Sequence, residues 1–382
     1  MRTWVVLVAS MLLAACASIP EPPRGGVLDD HLFAAPSQRI SVDDVFALSP
    51  EMKRYLAADI ANDMRIKGPQ QGLFDALYSR NQLQLEYEST MTRNAAQAYA
   101  ARAGNCLSLV IMTAAFAKEM GLTVTYQHIH ADETWGRIGD IYLSIGHVNL
   151  TLGMRYSEVG PQYYQGDTLT IDFLPPAAIR GLRSRVVSEK TIVAMYMSNR
   201  AVESMAAGQL DDAYGWAREA IAQDPKFVSA YNTLGAIYLR HGDLAHAEAA
   251  LRYALVRAPK NTHVMSNLVP VLNALGHTAE ANELRARLAQ LEPEPAFSFF
   301  NRGMMAMRTG DYGVAKEMFA KEVERAPYYH EFHFWLAVAC VGLDEYELAR
   351  THMKLAMESS LTRSDHDLYA AKLDKINAYH SR

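Results

Sequence analysis

The chain has 382 residues, half of them apolar and 21% charged, the balance of a folded protein and not of a disordered one. A net charge of -5 excludes the basic footprint of a nucleic-acid-binding surface. Three cysteines are too few for a disulfide framework or a four-thiolate zinc site, and the length predicts two or three domains.

Residues 1–15 read as a signal peptide, with Arg2 ahead of a short apolar run from Val5 to Leu13 that is too short to span a bilayer. The run ends Leu13-Ala14-Ala15-Cys16, which resembles the lipobox of bacterial lipoproteins. The resemblance implies cleavage before Cys16 and lipidation of its sulfur, and multiple acyl chains give stable anchoring. Ala17 and Ser18 follow, and by that resemblance the chain is placed at the outer membrane, facing the periplasm, with the lipid anchor as its only membrane contact. Residues 16–37, with the stretch Pro20-Glu21-Pro22-Pro23-Arg24-Gly25-Gly26, read as a tether. Cys106 and Cys340 remain, in what read as different domains, so no disulfide between them is expected.

Residues 38–190 form the first predicted domain. Ser49-Pro50 predicts a capped helix running to about Met64. Gly68-Pro69 breaks it, and a second helix is expected to Tyr78. Thr92 is the expected cap of a helix over 93–103, stopped by Gly104. Asn105 then caps a run from Cys106 to Ala117 that is apolar almost all round, the mark of a buried helix. Strands are predicted over 122–130, 141–152 and 168–174. Cys106 thus opens a helix, where partial positive charge and free N–H groups favour thiolate. An ordinary thiol is only about 3% ionised at pH 7, so a nucleophilic reading needs a histidine and a group to orient it. His147 and Asp172, on neighbouring predicted strands, are the residues placed to serve.

The stretch from Tyr87 to Asp172 resembles the core of the transglutaminase-like superfamily. Its marks are Gly104-Asn105-Cys106 opening a helix, Lys118-Glu119-Met120-Gly121 closing it, Gly146-His147-Val148, and Ile171-Asp172-Phe173. The resemblance implies an α+β, papain-like fold with Cys106 as nucleophile, His147 as base and Asp172 as orienter. Leu107 and Ser108 follow the cysteine where many members carry an aromatic or acidic pair, and no tryptophan precedes it in the domain. Gln82, Gln84 and Tyr87 are candidates to line the site or stabilise an oxyanion. His128, His130, Asp132 and Glu133 read as a solvated edge, so no metal site is expected, and no cofactor. Trp135-Gly136-Arg137 falls in the loop ahead of His147.

From residue 194 the chain repeats. Prolines fall at 225, 259, 293 and 327, glycines at 208, 242, 276 and 310, and alanines at 213, 247, 281, 315 and 349, each series 34 apart. The second unit, with Tyr231, Leu234, Gly235, Tyr238, Gly242, Ala247, Leu251, Ala254 and Pro259, resembles the tetratricopeptide repeat. The resemblance implies an all-α solenoid of helix pairs. Five units are read, 194–227, 228–261, 262–295, 296–329 and 330–363, followed by a capping helix over 364–382 with Leu368, Ala371, Leu373, Ile376 and Tyr379 on its apolar face. The fifth unit carries Asp344 in place of glycine. Cys340 reads as a packing residue of the fifth unit. The concave face of such a solenoid binds peptides or proteins, here partners in the cell envelope, with Asn199, Asn232, Asn267, Asn301 and Arg302 as candidate groove residues.

Two functions are compatible with these features. One is a lipid-anchored, thiol-dependent amide hydrolase or acyl transferase whose repeats recruit partners. The alternative is a non-catalytic envelope scaffold in which both parts only bind proteins.

Overall fold

The computed structural model describes residues 26–78, 83, 85–88, 91–130, 135–138, 141–144, 146–154, 168–173, 183–295, 297–327, 329–360 and 363–380. The expected signal peptide, Cys16 and most of the proline-rich stretch lie outside the described residues, as do Gln82, Gln84, Asp132 and Glu133.

The first domain begins with α1 (Pro50–Arg54), whose cap Ser49 accepts from the Met52 N–H at 3.3 Å. The helix widens into a π turn over Tyr55–Asp59 and resumes as α2 (Ala61–Lys67), so the single helix expected to Met64 is interrupted. Gly68, at φ 85°, separates it from α3 (Pro69–Tyr78). A short strand β1 (Glu86–Tyr87) pairs in parallel with β2 (Ala103–Gly104), and α4 (Ala95–Ala101) lies between them. The cap of α4 is Asn94, closing a capping box with Gln97; Thr92, the residue expected to cap this helix, is buried elsewhere.

Next comes α5 (Cys106–Glu119), buried from Cys106 through Ala117. It packs on β3 (Thr123–His130) and β6 (His147–Gly153). The strand expected over 141–152 is divided into β5 (Ile141–Ser144), which forms a hairpin with β4 (Trp135–Ile138), and β6. With β7 (Leu169–Ile171) and β8 (Arg183–Val187), β3 and β6 form an antiparallel sheet of order β7-β6-β3-β8. β8 was not foreseen: four of its five residues are exposed and two are arginines, so it lacks the apolar alternation that marks a half-buried strand.

The repeats are helix pairs: α6 (Glu189–Ala206) with α7 (Leu210–Gln223), α8 (Val228–His241) with α9 (Leu244–Arg257), α10 (Thr262–Ala274) with α11 (Thr278–Leu291), α12 (Ser298–Thr309) with α13 (Tyr312–Arg325), and α14 (His330–Gly342) with α15 (Tyr346–Glu358). Gly208, Gly242, Gly276 and Gly310 hold φ between 75° and 94° at the turns inside the first four pairs. Asp344 takes the same left-handed conformation, φ 58°, in the fifth, so it performs the glycine's role at some conformational cost. The last helix, α16 (Arg363–His380), covers α15. Its buried face is set by Tyr369 and Ile376, while Leu368, expected on that face, is 46% exposed.

Two long-range arrangements were not anticipated. First, residues 27–37 do not behave as a tether; they are strapped across the first two repeats. The Tyr238 hydroxyl donates to the Val27 carbonyl at 3.1 Å and accepts from the Asp29 N–H at 2.9 Å. Asp30 accepts from the Tyr214 hydroxyl at 2.9 Å. Phe33 stacks on Tyr214, with centroids 4.2 Å apart, and buried Asp212 accepts from both the N–H and the hydroxyl of Ser37. Pro36 lies against Gly215, where a Cβ would approach its Cγ to 2.5 Å. Gly215→Ala is therefore expected to lift the strap at a cost of about 1–3 kcal/mol, read as faster limited proteolysis within residues 27–40. An unchanged digestion pattern would show that this contact does not clamp the segment.

Second, the solenoid is interrupted although its 34-residue register is not. One hydrophobic core runs from Val27 to Leu284 and a separate one from Phe297 to Ile376. The helix α12 does not lie along α11 as α10 lies along α9 or α14 along α13. Side chains explain the break. Arg302 and Met305 stand two periods after Leu234 and Ile237, which are fully buried, yet Arg302 is exposed and Met305 is 66% exposed. Exposed Arg285 stands one period after buried Leu251. Arginines at two of these positions, with Met305 left exposed, leave no continuous apolar seam between α11 and α12 among the described residues.

Candidate functional site

Asn105 holds extended backbone at φ -72°, ψ 172°, and its Oδ1 accepts from the Ser108 N–H at 2.9 Å, opening α5 at Cys106. No larger residue than glycine fits at 104, since a Cβ there would meet the Ser108 Cβ at 2.7 Å. His147 begins β6, and Asp172 directly follows β7. The register pairs Leu150 with Ile171, which sets Asp172 opposite Asn149 with His147 two residues along the same strand.

His147 Nε2 lies 2.8 Å from Asp172 Oδ1. The Cys106 thiol is close enough to interact electrostatically with the imidazole. Asn149 Nδ2 donates to Asp172 Oδ2 at 2.9 Å, so both carboxylate oxygens are engaged and the carboxylate is fixed in rotation. Cys106, His147 and Asn149 are all buried. Burial disfavours the imidazolium, but hydrogen bonds from Asp172 and then Cys106, with their charges, outweigh it and raise His147 from 6.5 to about 9. Chemically this is a thiol beside a base whose orientation is held by a carboxylate, the arrangement nucleophilic catalysis requires.

The sign of the pH dependence follows. His147 binds its proton more tightly in the folded chain than in the unfolded one. Its contribution to stability is complete below pH 6.5 and is lost as pH rises through about 9. Asp172→Asn removes the largest raising interaction and is expected to flatten the fall in urea-unfolding free energy across that window. An unaltered slope in the variant would show that the pair does not carry it.

The structure thus brings together Cys106, His147 and Asp172. Tyr87 is on β1, paired beside Gly104. Asn149 was missed; its signal was position, two residues beyond His147 and so on the same strand face. Of the groove residues, Asn267 donates to Asn232 at 2.9 Å and both are buried, so they form an internal ladder between α8 and α10 instead of facing a ligand. Asn199 is turned to the first domain, donating to Thr92 at 3.3 Å, and β5 lies against α8 and α10. The first domain therefore lies against the first helix of each of the first three units, α6, α8 and α10. Asn301 and Arg302 are exposed. Cys340 is buried, and burial pushes its thiol up to about 11.

Family models of the tetratricopeptide repeat match residues 216–249 and 300–359; the chain carries tetratricopeptide repeats, and its C-terminal region is a helical repeat array. Such repeats are compatible with a protein-interaction scaffold. Among solved structures, the chain is similar to YrrB, described as a TPR protein with an unusual peptide-binding site, at 21% identity over 47% of this chain and 92% of that one, with a TM-score of 0.26. It is similar to PilF of Pseudomonas aeruginosa at 20% identity over 51% and 88%, TM-score 0.31, and to MamA at 19% identity over 42% and 93%, TM-score 0.24. No curated protein matches the chain.

Proposed function

We propose that this protein is an interaction scaffold of the bacterial cell envelope, lipid-anchored through Cys16 at the outer membrane, whose repeats bind a protein or peptide partner. The repeat array carries this reading. With the chain's own first domain lying against the first helices of the first three units, the partner surface is assigned to α12, where Asn301, Arg302, Met305 and Arg308 are exposed. Peptides selected by display against the full chain test it. Met305→Glu and Arg308→Glu are expected to weaken their binding about ten-fold each, roughly 1.4 kcal/mol. Binding that ignores both substitutions would place the surface elsewhere, and failure to select any peptide would overturn the reading.

A second reading is favoured by one observation, the Cys106–His147–Asp172 arrangement in a domain that resembles the transglutaminase-like superfamily. In it the Cys106 thiolate attacks an amide carbonyl of a peptide or glutamine-like side chain. His147 gives its proton to the leaving amine, and Asp172 holds the imidazole. Water or a second amine then releases the acyl group. The His147 and Asp172 geometry supports this chemistry because an oriented, proton-retaining imidazole is what a thiolate needs beside it. Loss of acyl transfer or hydrolysis of a glutaminyl peptide in Cys106→Ala is the expected outcome; equal turnover in the variant would exclude it.

A further inference from the structure

We infer that the first repeat helix, α6, positions the nucleophile: Asn199 and Glu203 hold Thr92, and Thr92 holds the Asn105 cap from which the Cys106 helix starts. This rests on the thiol reading of the site and adds to it a dependence on the repeat array.

The connection is a continuous set of hydrogen bonds. Asn105 Nδ2 donates to Thr92 Oγ1 at 2.9 Å, and Asn199 Nδ2 donates to the same oxygen at 3.3 Å. The Thr92 N–H donates to Glu203 Oε1 at 2.7 Å, while Arg200 Nη1 donates to Glu203 Oε2 at 2.8 Å. On the other side of the cap, Asn105 Oδ1 accepts from the Ser108 N–H and from the Ser108 hydroxyl at 2.8 Å, and the Ser108 Oγ accepts from the Arg93 N–H at 2.8 Å. Thr92, Asn105 and Ser108 are all buried, so water does not substitute for a missing partner.

Chemistry assigns the direction of control. An asparagine side chain caps a helix only with its oxygen toward the helix N–H groups. Its two ends are nearly the same shape, so the orientation is set by what the NH2 end finds. Here it finds Thr92, and Thr92 is held on its backbone side by Glu203 and on its hydroxyl side by Asn199, both from α6. His147 sits on β6, a different element. A shift of the Asn105 cap thus moves Cys106 relative to its base while leaving the His147–Asp172 pair in place. Glu203 also breaks the repeat pattern in a telling way: one and two periods later the same position holds Ile237 and Val271, both fully buried.

Asn199 and Glu203 touch neither the sulfur nor a substrate, so they are positioning residues. The experiment is iodoacetamide labelling of Cys106 in the full chain as a function of pH, with thermal midpoints measured in parallel. Thr92→Val keeps the volume and removes the shared acceptor; labelling at pH 7 is expected to fall about ten-fold, the equivalent of one unit in the pH profile. Thr92→Ser, which keeps the hydroxyl, is expected within about two-fold of the parent. Glu203→Ala should fall with Thr92→Val, and Glu203→Gln, which keeps an acceptor for the Thr92 N–H, should stay near the parent. Labelling of Thr92→Val at the parental rate, or of Thr92→Ser as slowly as Thr92→Val, overturns the proposal. If His147→Ala slows labelling but Thr92→Val does not, positioning alone fails. If His147→Ala leaves labelling unchanged, the thiol reading and the positioning proposal fall together.

Discussion

At pH 7, His147→Ala is expected to slow alkylation of Cys106 by at least about ten-fold, because an unassisted thiol is only about 3% ionised there. The expectation rests on three features. The Asp172 carboxylate is 2.8 Å from the imidazole and is itself held by Asn149. The imidazole keeps its proton to about pH 9, so near neutrality it stands as the cation in the site. The sulfur lies at the first turn of α5, where the helix N-terminus carries partial positive charge. Cys340 is an internal control: it is fully buried in the separate second core, and burial pushes its thiol up to about 11, so it should label slowly in the parent and the variant alike. Mass spectrometry of the two labelled peptides separates the contributions. A Cys106 rate that is as slow as that of Cys340 in the parent, or unchanged in His147→Ala, would remove the chemical basis for a nucleophile.

The second large effect concerns stability. Phe319→Ala is expected to cost about 3–5 kcal/mol, the range for removing a buried aromatic side chain, and to destabilise α12–α16 while leaving the remainder of the chain folded. Phe319 is fully buried. Its ring lies tilted against Phe300, 5.7 Å between centroids, and fills the space opposite Gly303, where a Cβ would come within 2.6 Å of its ring. Because no apolar seam joins α11 to α12 among the described residues, the loss has no path into the first core. Denaturant unfolding of the parent should show two transitions, of which the substitution moves one. A single transition shifted as a whole would mean that the two cores unfold cooperatively despite their separation.

Much of this architecture was legible because it is local. Each repeat is a helix, a left-handed turn and a second helix, and the glycines that supply φ near 80° announce themselves in the first four units, with Asp344 taking their place in the fifth. The N-terminus of the Cys106 helix was legible for the same reason: Gly104, Asn105 and an apolar run declare a close approach, a cap and a buried helix within a few residues. The placing of His147 on one strand and Asp172 at the end of its neighbour followed from order along the chain. Thr92 was misread, since a threonine ahead of a helical run looks like a cap whatever it finally bonds to, and β8 was missed because its exposed arginines carry no strand alternation.

What the sequence by itself determined was therefore the set of local units: the helix pairs, their turns, the cap at Asn105 and the residue types of the triad. What the tertiary structure decided was which faces those units present. The strap of residues 27–37 on Tyr214 and Tyr238, the seating of the first domain on α6, α8 and α10, and the gap between α11 and α12 all depend on pairings between distant segments. A hydrogen bond between Asp30 and Tyr214 leaves no periodic trace in either neighbourhood. The 34-residue register survives across the break because register is set inside each unit, whereas packing between units is set by side chains such as Arg285, Arg302 and Met305 that meet, or fail to meet, only in the folded chain.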